Sequence, residues 1–319
     1  MKYNKLDENV LSLLQSALDS DNSVRKAARE VLGKESRESS IRSAIKRGVL
    51  IRKTPPSPQL PKMLTIDIET APILANVWGL FQQNVGLSMI HQDWYVLSYC
   101  AKWAGPNGDI YYEDKRDSFN TEDDSTLLKG IWKLLDEADI VTGQNSVRFD
   151  TKKLNARFLL NGMPPPSSYR QIDTLQMAKK SFGFTSNKLE YLTDKLCKKY
   201  KKLKHGKYAG FELWKQCLAG NMDAWREMEE YNIHDVLSTE ELYTILRPWT
   251  KNHLNLNVYN ESEEVVCSCG HTEWEHSGYH YTNAAKFDKF KCTSCGAENR
   301  GKVNLLPKSK RESLRSNLT

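Results

Sequence analysis

"MLTIDIETAP", residues 63–72, is the stretch on which the fold turns. It has the make-up of a buried β-strand, yet it carries two carboxylates, Asp67 and Glu69. Side chains alternate along a strand. Leu64, Ile66 and Ile68 therefore share one face, and Thr65, Asp67 and Glu69 share the other. Two carboxylates on one face stand about 7 Å apart, and burying either without a partner costs several kcal/mol. Two readings follow: an edge strand with one wetted face, or a strand whose missing partner is a cation.

Downstream, the pattern predicts strands at 94–103 and 109–114, joined by a hairpin at "AGPNGD". A helix at 123–136, a strand at 138–143, a helix at 150–161 and a strand at 169–174 follow, and helices dominate from 173 to 248. Upstream, residues 1–52 read as a small helical module. Asp7 caps "ENVLSLLQSAL", Ser23 caps "VRKAAREVL", Gly33 stops that helix, and "RESSIRSAIKRG" forms another. The order helix, Gly turn, basic helix resembles a helix-turn-helix unit, with Arg37, Arg42, Lys46 and Arg47 on the candidate recognition helix. The stretch from Gly33 to Ile41 is longer than the usual turn, and a helical docking module with a solvated basic face is the alternative. "KTPPSPQLPK", 53–62, reads as a proline-rich linker.

Three further pieces bear on the acidic strand. "TGQNSVRFD" ends with Asp150 where a strand gives way to a helix, with Asn145 and Phe149 just before it. "YNIHDVLSTEELY" puts Tyr231 and Asp235 four residues apart, on one helix face. Extending that face gives Met228, Tyr231, Asp235, Thr239 and Leu242, a core-like stripe with a carboxylate in it. Taken singly these signals are weak, since an acid at a helix start is commonly a cap. Four carboxylates gathered in a small space are tolerable only with divalent cations, and oxygen ligands suit magnesium or manganese.

In this order, "DIET", "N-x-x-x-F-D" and "Y-x-x-x-D" resemble the three motifs of DnaQ-like 3′→5′ exonucleases, in the tyrosine form found in the proofreading domains of family-B DNA polymerases. "RQIDTLQMAKKSFGFTSNKLEYLTDKLC" resembles the segment joining the second and third motifs. The histidine form wants His five residues before the aspartate, where this chain has Glu230. The resemblance covers residues 63–248 and implies a ribonuclease-H-like fold: a mixed five-stranded sheet with strand 1 central, flanked by helices. It also implies that Asp67, Glu69, Asp150 and Asp235 hold two metal ions. Tyr231 would orient the attacking water, being a poor base with an ordinary pKa near 10. His234 reads as structural, and Asp173 as a helix cap.

"KLCKKYKKLKHGKY", 195–208, gathers lysines, among them Lys199, Lys202, Lys204 and Lys207, that would meet phosphates. Trp78, Phe81 and Trp94 are candidates for stacking on bases, with core packing expected for at least one.

The cysteines divide unevenly. Cys100, Cys197 and Cys217 are scattered, whereas Cys267, Cys269, Cys292 and Cys295 crowd into 262–301. "VVCSCGHTEWEHSGYHY" and "KFKCTSCGAEN" have the spacing of a zinc ribbon with one structural ion. The first knuckle, C-x-C-G-H, is one residue short, which leaves open whether Cys267 and Cys269 both ligate or His271 replaces one. His276 and His280 are weaker candidates. Lys286, Lys289, Lys291 and Arg300 fit a ribbon that touches nucleic acid, and 302–319 forms a basic tail.

The chain has 319 residues, 39% hydrophobic and 27% charged, with a net charge of +6. That balance fits a polyanionic partner. No apolar run reaches the roughly 18 residues of a membrane span, and the first residues lack the apolar core of a signal peptide. A cytoplasmic, reducing setting is therefore expected, with metal rather than disulfides at the clustered cysteines. The expected activity is a free-standing, metal-dependent 3′→5′ exonuclease that releases nucleoside monophosphates from nucleic acid. DNA with a 3′ end is favoured, because the motif spacing resembles polymerase proofreading domains. The rivals are a ribonuclease-H-like endonuclease on hybrids or branched substrates, and a nucleic-acid-binding regulator without catalysis.

Overall fold

The computed structural model describes residues 8–19, 27, 31–32, 38–50, 61–118, 122–201, 203, 206–259 and 264–315. Most of the helix expected after Ser23, its Gly33 stop, Arg37, the proline-rich segment through Leu60, and Lys202 and Lys204 lie outside the described residues. The chain divides into two compact units, Met1–Gln59 with Val258–Glu264, and Leu60–Asn257 with Val265–Thr319.

In the first unit, α1 (Glu8–Asp19) and α2 (Glu38–Lys46) are amphipathic. They bury Leu14, Leu18, Ile41, Ala44 and Leu50 in one cluster, while Arg42, Lys46 and Arg47 are exposed.

The second unit is built on five strands: β1 (Met63–Thr70), β4 (Val96–Trp103), β5 (Ile110–Asp114), β6 (Ile140–Gly143) and β7 (Arg170–Asp173). Their order is β5-β4-β1-β6-β7, with β1 central. β1/β4 and β4/β5 are antiparallel, and β1/β6 and β6/β7 are parallel. The sheet is thus the mixed five-stranded sheet of the ribonuclease-H-like fold. Before β4, β2 (Leu74–Ala75) and β3 (Ile90–Gln92) pair into a separate ribbon that the sequence pattern had not suggested. Strands this short carry no period-2 signal to read.

Alternation along β1 sorts the two sides of the sheet. Leu64, Ile66 and Ile68 pack against α3 (Ser125–Glu137) and α4 (Asp150–Leu160), meeting Leu128, Ile131, Leu135, Leu154 and Phe158. The opposite side is covered by α5 (Thr174–Ser181), α6 (Leu189–Leu196), α7 (Glu212–Leu218) and the long α8 (Met222–Leu246). The α8 stripe Met228, Tyr231, Asp235, Thr239 and Leu242 is buried throughout. β4 tracks α8 with every second residue: Ser98 bonds Asn232, and Lys102 pairs with Glu240 at 2.7 Å.

The chain closes with β8 (Trp274–Tyr281), β9 (Lys286–Cys292), β10 (Glu298–Arg300) and α9 (Lys308–Ser313). The three strands form an antiparallel sheet in the order β10-β9-β8. No described helix is long and apolar enough to cross a membrane.

Candidate active site and metal centres

Asp67 sits mid-strand opposite Cys100 of β4, half-buried on the α8 side of the sheet. Glu69 lies where the β1/β4 register shifts, a bulge of the kind that re-aims side chains beside active sites. Asp150 is the first residue of α4 and is only 2% exposed. Its Oδ1 accepts the N–H of Ile68 at 3.0 Å, so its carboxyl reaches β1 between the two acids. Asp235, on α8, is also buried.

The neighbouring groups register this gathering of charge. Burial pushes the Cys100 thiol well above its usual range, and the negative charges of Asp67 and Asp235 push it further. Burial likewise raises the Asp150 carboxyl to about 7, with a contribution from Asp173, while the Ile68 N–H opposes the rise. Tyr231 is buried, with its ring edge-on to Trp214 at 6.2 Å.

Asn232 is the residue that motif reading missed. It is wholly buried. Its Nδ2 donates to Asp67 Oδ2 and to the Asp67 carbonyl, and its Oδ1 accepts from Ser98 Oγ at 3.2 Å. The helix that carries Asp235 is thereby bonded to the carboxylate of β1. Two features carried the hint: an amide on a core-facing stretch, and its position between Tyr231 and Asp235.

Asp173 caps α5 by accepting from the N–H groups of Leu175 and Gln176. It also accepts from the Asn145 N–H at 3.0 Å, which pins the turn leading to Asp150. Asn145 has φ +63 there, and its carbonyl accepts the Phe149 N–H at 3.0 Å. Phe149 is 37% exposed beside Lys153, whose ammonium covers the half-buried Trp94 ring at 3.7 Å. Trp78 and Phe81, by contrast, are almost fully exposed, together with Leu80 and Leu87.

The lysine-rich segment is moored to α8 by two carboxylates. Glu241 accepts the N–H groups of Lys198, Lys199 and Tyr200, and Glu227 accepts those of Gly206 and Lys207. Tyr231 and Asp235 lie between these anchors on the helix. Lys199 and Lys207 are exposed, and Lys207 stands 3.6 Å from Asp223.

Two donor sets bear on metals. Among the described residues, the Sγ atoms of Cys267, Cys269, Cys292 and Cys295 lie mutually within 4.8 Å, and the carboxylates form no such set of three. Tetrahedral thiolates around zinc stand about 3.8 Å apart. Cys267 and Cys295 are 3.5 Å apart and Cys269 and Cys292 are 3.7 Å apart, so this cluster could bind zinc. Both cysteines of the short knuckle point inward, because Gly270 at φ +89 tightens its turn. Burial works against ionising Cys292, but the N–H groups of Cys295 and Ser294, together with hydrogen bonds from the Cys267 and Cys269 thiols, outweigh it and lower the thiol to about 7. His271 is outside the set, 3.6 Å from Glu273. The carboxylates are hard oxygen donors of the kind that suits divalent cations, with Asp150 and Asp235 buried and Asp67 and Glu69 half-buried.

Residues 86–247 match the RNase H superfamily. The chain belongs to that superfamily. Membership of the RNase H superfamily supports a nuclease; the matched span begins after β1 and holds Asp150, Tyr231 and Asp235. Among solved structures, the chain is similar to the family B DNA polymerase from the hyperthermophilic archaeon Pyrobaculum calidifontis. The identity is 14% and the TM-score 0.42, over 72% of this chain and 32% of that one, so the chain spans about a third of the polymerase's length. No curated protein matches.

Proposed function

We propose that the chain is a metal-dependent 3′→5′ exonuclease that acts on nucleic acid, DNA first of all, and releases nucleoside monophosphates. One observation carries the reading: Asp150 bonds β1 between Asp67 and Glu69, while Asn232 bonds Asp67 to the helix of Asp235. These bonds tie Asp150 and the helix of Asp235 to the central strand that carries Asp67 and Glu69.

Asp67, Glu69, Asp150 and Asp235 would hold two magnesium or manganese ions, which when bound neutralise the scissile phosphate and make water more acidic. The remaining work falls to the chain's own side chains. Tyr231 holds the attacking water through its hydroxyl, since a phenol is a poor base at neutral pH. Asn145 and Phe149, on the turn before Asp150, meet the terminal nucleotide. Lys199 and Lys207, with Lys202 and Lys204, hold phosphates further along the strand. Arg42 and Lys46 on α2 and Arg47 just after it, all exposed, would serve the N-terminal module as a DNA-binding face of helix-turn-helix kind. The four cysteines hold one structural zinc in a ribbon, four protein ligands leaving no open position.

The test is a product ladder from 5′-labelled single-stranded DNA, duplex DNA, RNA and hybrid, with and without magnesium. Stepwise shortening from the 3′ end is expected. Asp67→Asn or Asp235→Asn should abolish it while leaving affinity for nucleic acid within a few-fold. Cleavage of a covalently closed circle would move the reading to an endonuclease. Binding without products would move it to a non-catalytic binder.

A further inference from the structure

The C-terminal sheet carries a row of rings that the spacing of its residues does not foretell. His276 and Tyr279 are three apart on β8, and in a regular strand they would point to opposite faces. The β8/β9 register slips between them, with His276 opposite Phe290 and Tyr279 opposite Asp288. Gly278 sits in that bulge at φ +98. As a result the Tyr279 and His276 rings meet edge-on at 5.5 Å, and His276 and Phe290 at 5.8 Å.

Tyr281 extends the row, and Lys286 stands opposite it in register. The Lys286 ammonium lies 3.6 Å from the Tyr279 ring centre and 5.8 Å from that of Tyr281. Tyr281 is 66% exposed and Tyr279 46%. On the other face, Arg300 covers Phe287 at 4.1 Å, beside Lys289 and Lys291.

The acids of the sheet are each matched. Asp288 bonds His276 at 3.1 Å, Glu298 bonds Lys289 at 3.1 Å, and Glu275 stands opposite Lys291. From Val265 to Arg315, nine lysines and arginines outnumber five acids. Exposed rings in file beside an ammonium, on a segment with an excess of positive charge, suit an unpaired polynucleotide: a phosphate meets the ammonium while bases lie on ring faces. A duplex keeps its base faces stacked inside and offers the same surface phosphates alone.

We propose that the Tyr279–Tyr281–Lys286 face of this sheet is a binding site for single-stranded nucleic acid. Tyr281 and Tyr279 stack on bases without regard to sequence, and Lys286 takes a phosphate. The site needs none of the carboxylates of the first centre, so it stands or falls apart from any cleavage.

The experiment uses the full chain with no divalent cation added and follows the anisotropy of labelled oligothymidylate and of a blunt duplex. The Tyr279→Ala/Tyr281→Ala double variant should lose about tenfold or more in single-strand affinity, with duplex affinity changing less than about twofold. Tyr281→Ala alone, at an exposed position, should show the same preference, and Tyr281→Trp should bind at least as tightly as the parent. Unchanged single-strand affinity would overturn the proposal. So would equal losses on both probes, or failure of the tryptophan variant to hold affinity.

Discussion

Asn232 donates to the Asp67 carboxylate, and Ser98 donates to the Asn232 amide oxygen and holds it in place. Partners that orient metal-ligating groups typically contribute 10–100-fold to metal affinity or activity. Asn232→Leu is accordingly expected to weaken magnesium or manganese binding by about that factor, as read by isothermal titration. Asn232→Asp sets a like charge against Asp67 and should not restore it. A second buried pair is structural. Arg157 grips Asp124 with two nitrogens at 2.7 Å, and Asp124 also accepts the Val96 N–H. Arg157→Met strands a wholly buried carboxylate and should cost about 3–5 kcal/mol in urea unfolding. His253 gives an acid limb to stability. Burial lowers its pKa, the Leu254 carbonyl opposes the shift, and Arg247 adds to it. The Tyr243 hydroxyl faces its other ring nitrogen at 3.1 Å. The unfolded chain therefore binds this proton more readily than the folded one. The stability it withholds is fully present above about pH 6.5 and is lost as pH falls through that value toward the lower folded pKa. A stability–pH profile should flatten there in His253→Gln.

At the scale of elements, the turn between β6 and α4 shows how closely one acid is placed. A Cβ at Gly143 would stand 2.6 Å from Ser146 Cβ and 3.1 Å from the Ile66 carbonyl. Gly143→Ala must push the turn away from β1, and it is expected to cost about 1–3 kcal/mol and to displace Asp150, read by thermal unfolding together with metal titration. What the sequence discloses here and what it hides have physical causes. The alternation of β1 can be read because it is local and repeats every second residue. The α8 stripe can be read for the same reason at helical spacing. Asn232, the double duty of Asp173 and the mooring by Glu227 and Glu241 join residues far apart in the chain, and no local period announces them. The β8 bulge is hidden because a single glycine reverses the parity of all that follows it.

At the scale of the whole molecule, one stretch stands apart from the charged surface around it. From Ala71 to Gln92 the chain has no lysine, arginine, aspartate or glutamate, and it turns Trp78, Leu80, Phe81 and Leu87 outward. Greasy knobs of this kind drive self-association in concentrated solution. The purified protein should brighten anilinonaphthalene dyes while still native and linger on phenyl resin. Leu80→Lys, at a position 90% exposed, should relieve both behaviours, raise the attainable concentration and serve as a handling variant for crystallisation.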